Sequence, residues 1–418
     1  MVKKSGPPRK AAASSSKANS KSKQGNKKSV APPQASETPS SSASTALQSQ
    51  AEQQRLLDIF ANAFNSALTS DGFTSLLQEV KQALFNRDFA AAFGREDYLE
   101  AYAARWSPTR ALCYATVFLS IREHLDGILT PEEGPGSRSL DSSTSAQVGL
   151  TQDADTLHET AGDNIDKKEV SSATGKESDE VTKSDNTPST SSAQSRNTLR
   201  MLSVGGCAAE HLALASYLQT TSRYGRLTLL DSAPWAAVTS LLETATTVPP
   251  PISKYASAAL RAANHALLDP GQLSLDVAQQ DVLALDADSL ASWCANGKVP
   301  IVLTLLFTLN ELYTDGGIGK TTKFLKNLGQ VLAGGSLVLV VDSPGSYSEA
   351  ALGKEKKRYP MQWLLDHTLL ETDTPGYSWD KLQSDDSIWF RLPEGLSYPI
   401  PLENMRYQMH LYRLEKSS

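Results

Sequence analysis

The sequence has few cysteines: it contains only Cys113, Cys207 and Cys294 in 418 residues. An odd number of distant cysteines, without a CxxC pair or histidines at metal-ligand spacing, indicates neither a disulfide framework nor a zinc site. No apolar run reaches the roughly 20 residues of a membrane span, and the first residues lack the apolar core of a secretory signal. These absences predict a soluble, intracellular protein with no metal ion and no membrane association.

Two segments also lack large apolar side chains. Residues 1–50 consist mainly of Ser, Ala, Lys, Pro and Gln, and residues 131–196 are rich in Ser, Thr, Asp and Glu. Neither segment can bury enough apolar surface to offset the entropy of ordering, so we predict a disordered tail and a disordered insertion. The tail is basic up to its first acid, Glu37, whereas the insertion is acidic. The tail suits a phosphate polyanion or nuclear import, although both segments can also be solvated spacers.

Residues 51–130 have apolar side chains at the three- and four-residue spacing of amphipathic helices, first over 56–68 and again over 76–84. A third helix is predicted to begin at Ser107 and Pro108, because serine caps helices and proline suits the first helical position. This segment is therefore interpreted as an all-helical module.

In residues 197–418 short apolar strands alternate with helices, which is the order that builds a parallel sheet. The predicted parallel strands are 198–204, 226–230, 273–278, 299–307 and 336–341, followed by antiparallel strands at 387–392 and 405–411. The arrangement resembles the α/β, Rossmann-like seven-stranded sheet of class I methyltransferases, whose seventh strand lies between the fifth and sixth. The usual dehydrogenase fold ends differently.

The first predicted strand leads into a glycine turn, with Gly205 and Gly206 followed by Ala208 and by Glu210 on an apolar helix. Glycine lets the backbone approach a ligand that a Cβ would push away, and the start of a helix offers unpaired N–H groups. In methyltransferases this turn faces the methionine and ribose parts of the cofactor. Glycine pairs also end strands for structural reasons alone.

Carboxylates follow the next two predicted strands. Asp231 ends the second strand, where an acid can accept hydrogen bonds from both ribose hydroxyls, or can merely cap the next helix. Asp281 follows the third strand, where methyltransferases commonly bind the adenine amino group. Together with the glycine turn, these residues predict a site for S-adenosyl-L-methionine (SAM).

The fourth and fifth predicted strands end in polar residues that are candidates for the methyl-transfer site. Asn310 and Glu311 follow the fourth strand and can orient or deprotonate a substrate nitrogen, or can cap the next turn. Ser346 and Tyr347 lie in a predicted loop after the fifth strand, where they can line the acceptor pocket.

The helical module is predicted to act as a substrate cap. Arg105 and Arg110 offer phosphate contacts beside Trp106, although Arg105 can also be a simple surface ion-pair residue. Tyr313, Tyr347 or Trp363 are candidate platforms for an unstacked base, although aromatic residues in such positions are more often core residues.

Several longer stretches resemble the fungal 25S ribosomal RNA uridine-N3 methyltransferases. They are Leu202–Glu210, Leu305–Leu312, Asp342–Ser348, Tyr359–Asp366 and Tyr98–Tyr114. The similarity covers both predicted folded parts and neither low-complexity segment. This sequence departs from many class I enzymes at Ser203, where they carry an acid, and it has no Asn/Asp-Pro-Pro-Tyr motif at Asn310.

The resemblance implies methylation of a ribosomal RNA uridine at N3, with SAM as cofactor, on ribosomal RNA or a pre-60S particle in the nucleolus. The hypothesis for the reaction has Glu311 as base and Asn310 as orienting residue. The alternative from another class is a catalytically silent ribosome-assembly or RNA-binding protein that retains the fold. A nicotinamide-dependent oxidoreductase is disfavoured because the glycine turn lacks a full GxGxxG.

Overall fold

The structure, a computed structural model, describes residues 47–132, 196–345, 347–352, 355–372 and 374–417. The predicted disordered tail and insertion lie almost entirely outside these ranges, so their disorder stays a prediction. Residues Ala46–Ser418 form one compact unit. The helical segment and the sheet described below both belong to it.

The helices and strands of the described residues follow the predicted order. The helices are α1 (Gln50–Ala63), α2 (Asn65–Leu68), α3 (Phe73–Phe85), α4 (Phe89–Phe93), α5 (Glu96–Ser120), α6 (Arg122–Asp126), α7 (Ala209–Thr221), α8 (Ala236–Thr247), α9 (Ala258–Ala263), α10 (Ala287–Trp293), α11 (Leu309–Glu311), α12 (Ile318–Val331) and α13 (Met361–Leu369). The strands are β1 (Thr130–Glu132), β2 (Arg196–Val204), β3 (Tyr224–Asp231), β4 (Leu273–Gln279), β5 (Val302–Leu306), β6 (Leu337–Asp342), β7 (Tyr347–Leu352), β8 (Glu355–Pro360), β9 (Tyr377–Phe390) and β10 (Met405–Lys416). In the described part of the chain, no helix is long and apolar enough to cross a membrane.

The main sheet has the strand order β4-β3-β2-β5-β6-β10-β9. Its first five strands are parallel, and β10 pairs antiparallel with both β6 and β9. The seventh strand thus lies between the fifth and sixth, which confirms the α/β fold of class I methyltransferases. The short β1 pairs antiparallel with the start of β2, so the sheet has eight strands rather than the predicted seven.

The central strands are apolar because helices cover both faces of the sheet. Every residue of β5 and β6 is buried, as expected for parallel strands in the middle of an α/β sheet. On one face lies a core that includes side chains of α1, α5 and α7, and on the other face a core that includes α12 and α13. The helices that precede the sheet therefore share its main hydrophobic core.

The prediction that a helix begins at Ser107 and Pro108 is wrong, because α5 begins at Glu96 and continues through Pro108. A proline inside a helix lacks the N–H that would bond to the carbonyl four residues before it. Here the Tyr398 hydroxyl, from the connection between β9 and β10, donates to the Ala104 carbonyl oxygen at 2.7 Å. A distant residue thus satisfies the oxygen that the proline leaves free.

Two further differences concern the end of the chain. The predicted loop at 342–348 is a turn followed by the antiparallel hairpin of β7 and β8. Strand β9 begins at Tyr377, ten residues before the predicted strand, because its first half pairs with the end of β10, as in Tyr377↔Lys416. The sequence pattern there is irregular since two register shifts interrupt the pairing.

Candidate functional site

The glycine turn after β2 has a backbone that only glycine adopts without strain. Gly205 and Gly206 both have φ of +77°. A Cβ on Gly205 would lie 2.4 Å from side-chain atoms of Thr308, and one on Gly206 would lie 2.9 Å from Oε1 of Glu210. The turn therefore packs so closely against Thr308 and Glu210 that both positions require glycine.

Replacing Gly205 with alanine is expected to lower the free energy of unfolding by about 2–4 kcal/mol, as the sum of backbone strain and overpacking. The overpacking comes from Thr308, which lies directly against the added methyl group. Gly271→Ala is the matched control, because Gly271 has φ of +73° and an added Cβ there would have no atom within 4 Å. Chemical denaturation compares the two variants. Equal losses would show that the contact with Thr308 is not tight.

The Asp231 carboxylate ties the ends of the first two parallel strands together. Its Oδ2 accepts a hydrogen bond of 2.5 Å from the Gly206 N–H, and its Oδ1 accepts one of 2.8 Å from the Ala233 N–H. Burial raises the pKa of Asp231, while these backbone donors lower it and offset part of the shift. A carboxylate held in this way keeps lone pairs for further donors at the mouth of the turn.

A cavity of about 640 Å³ opens above this turn at the carboxyl ends of the parallel strands. Its size is typical of small-molecule and cofactor sites, which measure about 300–1,000 Å³. Residues from the glycine turn, from the ends of β3, β4 and β5, and from the preceding helices line it together. Among them are Phe93, Tyr102, Arg110, Gly205, Gly206, Ala208, Glu210, Asp231, Trp235, Asp281, Phe307, Glu311 and Lys320.

Two carboxylates in this cavity have strongly shifted acidities. Burial raises the pKa of Glu210 to about 7, while hydrogen bonds from the backbone and the charge of Arg110 oppose the shift. Burial raises the pKa of Glu311 to about 8, with Arg110 opposing and Asp342 adding to the shift. Carboxyl groups whose pKa lies near 7 are candidates for ligand binding or proton transfer.

Arg110 reaches this cavity from α5. Its guanidinium donates to the Tyr102 hydroxyl and lies 4.7 Å from the centre of the Phe307 ring. Burial alone would lower the pKa of Arg110, but Tyr102, Glu210 and other acidic groups around it raise the pKa above its usual value. Arg110 is therefore a fixed positive charge in the cavity that the glycine turn and Glu311 also line.

The other residues predicted for the cofactor also line this cavity. Ala208 precedes the first residue of α7, and Glu210 stands in its first turn with only 3% of its surface exposed. Asp281 is exposed at the cavity rim, where its Oδ1 accepts a hydrogen bond of 2.9 Å from the Leu283 N–H. The structure therefore brings all six predicted cofactor residues to one cavity, and their binding roles stay predictions.

The residues predicted to bind the substrate do not all lie at the cavity. The guanidinium of Arg105 forms an ion pair of 2.6 Å with Glu403 and lies 5.8 Å from the Trp106 ring centre. Among the described residues, neither Arg105 nor Trp106 lines the cavity. Ser346 lies outside the described residues, and of Tyr347 only the backbone, at the start of β7, is described.

Asn310 follows β5 but does not line the cavity that Glu311 lines. Its backbone N–H donates to Oδ2 of the buried Asp342 at 3.0 Å, which ties the start of α11 to the end of β6. Its own Oδ1 is buried without a hydrogen-bond partner among the described residues. The orienting role predicted for Asn310 stays a prediction.

Sequence analysis did not identify the aromatic wall of the cavity. Phe93, Tyr102 and Trp235 form it, with ring centres 5.0 Å apart for Phe93 and Tyr102 and 6.1 Å apart for Tyr102 and Trp235. Phe307 carries a positive φ of +60° beside it, which is uncommon for a bulky residue. The only available signal was the density of aromatic residues in α4 and α5, which also fits a core. Tyr313, a candidate platform, is indeed buried in the core.

Residues of the types that ligate metals do not cluster in the described part of the chain. No group of three or more His, Cys, Asp or Glu residues there is arranged to hold a metal ion. The three cysteines are buried and free. The cavity itself is lined by carboxylates, Arg110 and the glycine turn.

Comparison with known proteins gives one family. Residues 60–413 match the model of a protein family described as "Putative SAM-dependent methyltransferase". The protein named "25S rRNA (uridine(2843)-N(3))-methyltransferase" of Saccharomyces cerevisiae is 28% identical over 370 residues, which are 86% of this chain and 85% of that protein.

Solved structures of methyltransferases are similar at low identity. A SAM-dependent methyltransferase from Methanosarcina mazei is 11% identical over 51% of this chain and 91% of its own, with a TM-score of 0.28. The N-methyltransferase NodS from Bradyrhizobium japonicum, solved with S-adenosyl-L-homocysteine, is 12% identical over 51% of this chain and 77% of its own, with a TM-score of 0.24. The position of β10 between β6 and β9 in the sheet establishes the fold.

Proposed function

The chain belongs to the SAM-dependent methyltransferase family. From its similarity to the yeast 25S rRNA uridine-N3 methyltransferase, we propose that it methylates N3 of a uridine in 25S ribosomal RNA. The observation that carries the proposal is Glu311. It is a carboxylate with a pKa of about 8 in the same cavity as the glycine turn and Asp231. A uridine N3 carries a proton that must leave before nitrogen can form a new bond, so this reaction needs a base of that kind.

The cavity residues fit the cofactor group by group. In this proposal Asp231 accepts hydrogen bonds from the ribose hydroxyls and Asp281 accepts one from the adenine amino group. The buried carboxylate of Glu210 suits the ammonium group of the methionine part, and the guanidinium of Arg110, with the Tyr102 hydroxyl, suits its carboxylate. The sequence predicted that Arg110 contacts an RNA phosphate. In this proposal it binds the carboxylate of the cofactor.

When bound, the cofactor supplies an electrophilic methyl group on a positively charged sulfur. The protein's part is to hold the uracil N3 in line with that methyl group and to accept the N3 proton on a Glu311 oxygen. Held by Glu210, Arg110, Asp231 and Asp281, the cofactor would supply its methyl group to the N3 electron pair and would leave as S-adenosylhomocysteine, which keeps the electron pair of the broken carbon–sulfur bond. Glu311 then releases its proton to solvent.

The proposal is tested with the full chain, 25S ribosomal RNA that lacks the modification, and cofactor carrying a labelled methyl group. Label should appear in N3-methyluridine after nuclease digestion. Reverse transcription should stop at a single position, because the methyl group blocks the Watson–Crick edge. Cofactor binding without label transfer to naked RNA or to pre-60S particles would instead favour the alternative, a catalytically silent assembly factor.

The proposal also includes the place in the cell where the reaction occurs. The basic residues at 3–28 and a ribosomal RNA substrate favour the nucleolus and a pre-60S particle as the setting of the reaction. Imaging of the tagged full chain beside a nucleolar marker checks the location. A uniform cytoplasmic signal would contradict it.

A further inference from the structure

An exposed aromatic residue with two arginines lies at the edge of the sheet, outside the cavity. Trp389 is 55% exposed, although its strand neighbours Ile388 and Phe390 pack against or within the core on the opposite face. The guanidinium carbons of Arg391 and Arg406 lie 5.5 Å and 5.7 Å from the Trp389 ring centre. We call Trp389, Arg391 and Arg406 the edge patch.

Neither arginine of the edge patch forms an ion pair with a residue that the structure describes. Arg406 is held in place by a neutral partner, because its Nε donates to the Ser387 hydroxyl oxygen at 2.6 Å. The patch therefore combines two guanidinium groups without an ion pair among the described residues and an exposed indole, a combination that suits stacked bases and phosphates.

Protection of an edge strand is the alternative explanation. Charged side chains on β9 would discourage other strands from pairing with it. That purpose explains the arginines, but it does not explain an exposed tryptophan, which adds a large apolar surface to the edge that needs protection. The indole is the feature that indicates a ligand.

The strand register puts the edge patch at the same end of the sheet as the cavity, near the carboxyl end of β6. Gln408 pairs with Asp342 at the end of β6, and Arg406, which pairs with Trp389, lies two residues further in that direction. Glu311 follows β5, which is three strands from β9 in the sheet. At about 4.8 Å per strand, this separation is roughly 14 Å, which a few nucleotides of a single strand can span.

We propose that the edge patch binds unpaired nucleotides that flank the target uridine, with a base stacked on Trp389 and phosphates on Arg391 and Arg406. This inference rests on the proposed function, because it takes RNA as the substrate. Exposed bases in single-stranded RNA are commonly held on aromatic faces and arginine planes. The patch fixes the strand along the sheet edge while the target base enters the cavity.

The test measures binding of the full chain to a single-stranded oligouridylate of about twelve nucleotides, within the range of known single-strand sites. Trp389→Ala should weaken binding about tenfold, and Trp389→Phe should retain most of the affinity. Arg391→Gln with Arg406→Gln should lower the slope of log affinity against log salt by about 1.4, at about 0.7 per lost phosphate contact. The basic tail contributes equally to every variant.

Tyr255 provides the matched control. Its ring is 84% exposed and lies 5.0 Å from the Lys254 Nζ, but it stands in the connection between α8 and β4, which leads to the other edge of the sheet. Tyr255→Ala should bind the oligouridylate like the wild type. Equal affinity of wild type and all edge-patch variants, or an equal loss in Tyr255→Ala, overturns the proposal and leaves a protein of the particle as the occupant.

Methyl transfer on the same preparations separates the two proposals. If the edge-patch variants lose oligouridylate affinity but the wild type never transfers a methyl group, the edge patch is supported and the proposed function is wrong. If the wild type methylates ribosomal RNA and Trp389→Ala does so with unchanged KM for RNA, the edge patch is wrong and the proposed function stands.

Discussion

Replacing Glu311 with glutamine is expected to lower the rate of methyl transfer by about 10²- to 10⁴-fold, the usual contribution of a positioned base. Glutamine keeps the size and the hydrogen-bonding reach of the side chain but cannot accept the N3 proton. Cofactor affinity should change little, because the ribose and methionine contacts are assigned to other residues. Single-turnover transfer to ribosomal RNA and calorimetric binding of SAM measure the two effects separately.

The pH dependence of the same reaction gives an independent test. Since the pKa of Glu311 is raised to about 8, most of its carboxyl groups are protonated at neutral pH, and only the ionised form can act as base. The transfer rate should therefore rise with pH and level off above that pKa. The charge of the bound sulfonium favours the ionised form, so the midpoint in the cofactor complex should lie at or below about 8. Glu311→Gln should lack this rise.

Asp288→Asn is the control for the loss of a carboxylate. Asp288 is exposed in α10 and does not line the cavity, so its amide variant should transfer methyl groups at the wild-type rate. Full turnover in Glu311→Gln at neutral pH, with unchanged cofactor binding, would show that Glu311 is not the base. The N3 proton would then pass directly to solvent.

Replacing Asp231 with alanine is expected to weaken SAM binding at least about 100-fold, because hydrogen bonds to a charged group contribute about 1.5–3 kcal/mol each. Two effects add in this variant. The proposed bonds to the ribose hydroxyls disappear, and the N–H groups of Gly206 and Ala233 lose the acceptor that holds the glycine turn in its positive-φ conformation. Calorimetric titration with SAM and with S-adenosylhomocysteine measures the loss.

Asp276→Ala is the matched control, since Asp276 is an exposed carboxylate on the neighbouring β4 that does not line the cavity. Asp231→Asn distinguishes the two effects, because an asparagine oxygen can accept one backbone bond but carries no charge. Unchanged SAM affinity in a folded Asp231→Ala protein would remove Asp231 from the cofactor site.

Much of the sheet was predictable because its signals are local. Short apolar runs and the glycines and acids that end them predicted all five parallel strands and the antiparallel pair. The carboxylate of Asp231 and the turn at Gly205 were predicted for the same reason, since each follows directly from the end of a strand. The start of α5 was predicted wrongly, because Pro108 reads as a helix start until Tyr398 supplies the missing donor to Ala104.

The candidate site was only partly predictable, because its parts come from separate regions of the chain. Glu311 and the glycine turn were identified from strand ends. The approach of Arg110 to both depends on how α5 packs against α7, which no local pattern encodes. Arg105 lies in the same helix as Arg110 but forms an ion pair with Glu403 instead. Two arginines of one helix therefore have different surroundings.

The sequence alone determined the class of fold, the position of the glycine turn and the acids that follow the strands, because strand periodicity and backbone conformation depend on neighbouring residues. The tertiary structure decided which of these groups share one cavity and how acidic they are, because burial and the distance between charges arise only after packing. It also decided that Trp389, Arg391 and Arg406 meet on an exposed edge, since β9 and β10 bring them together through their register.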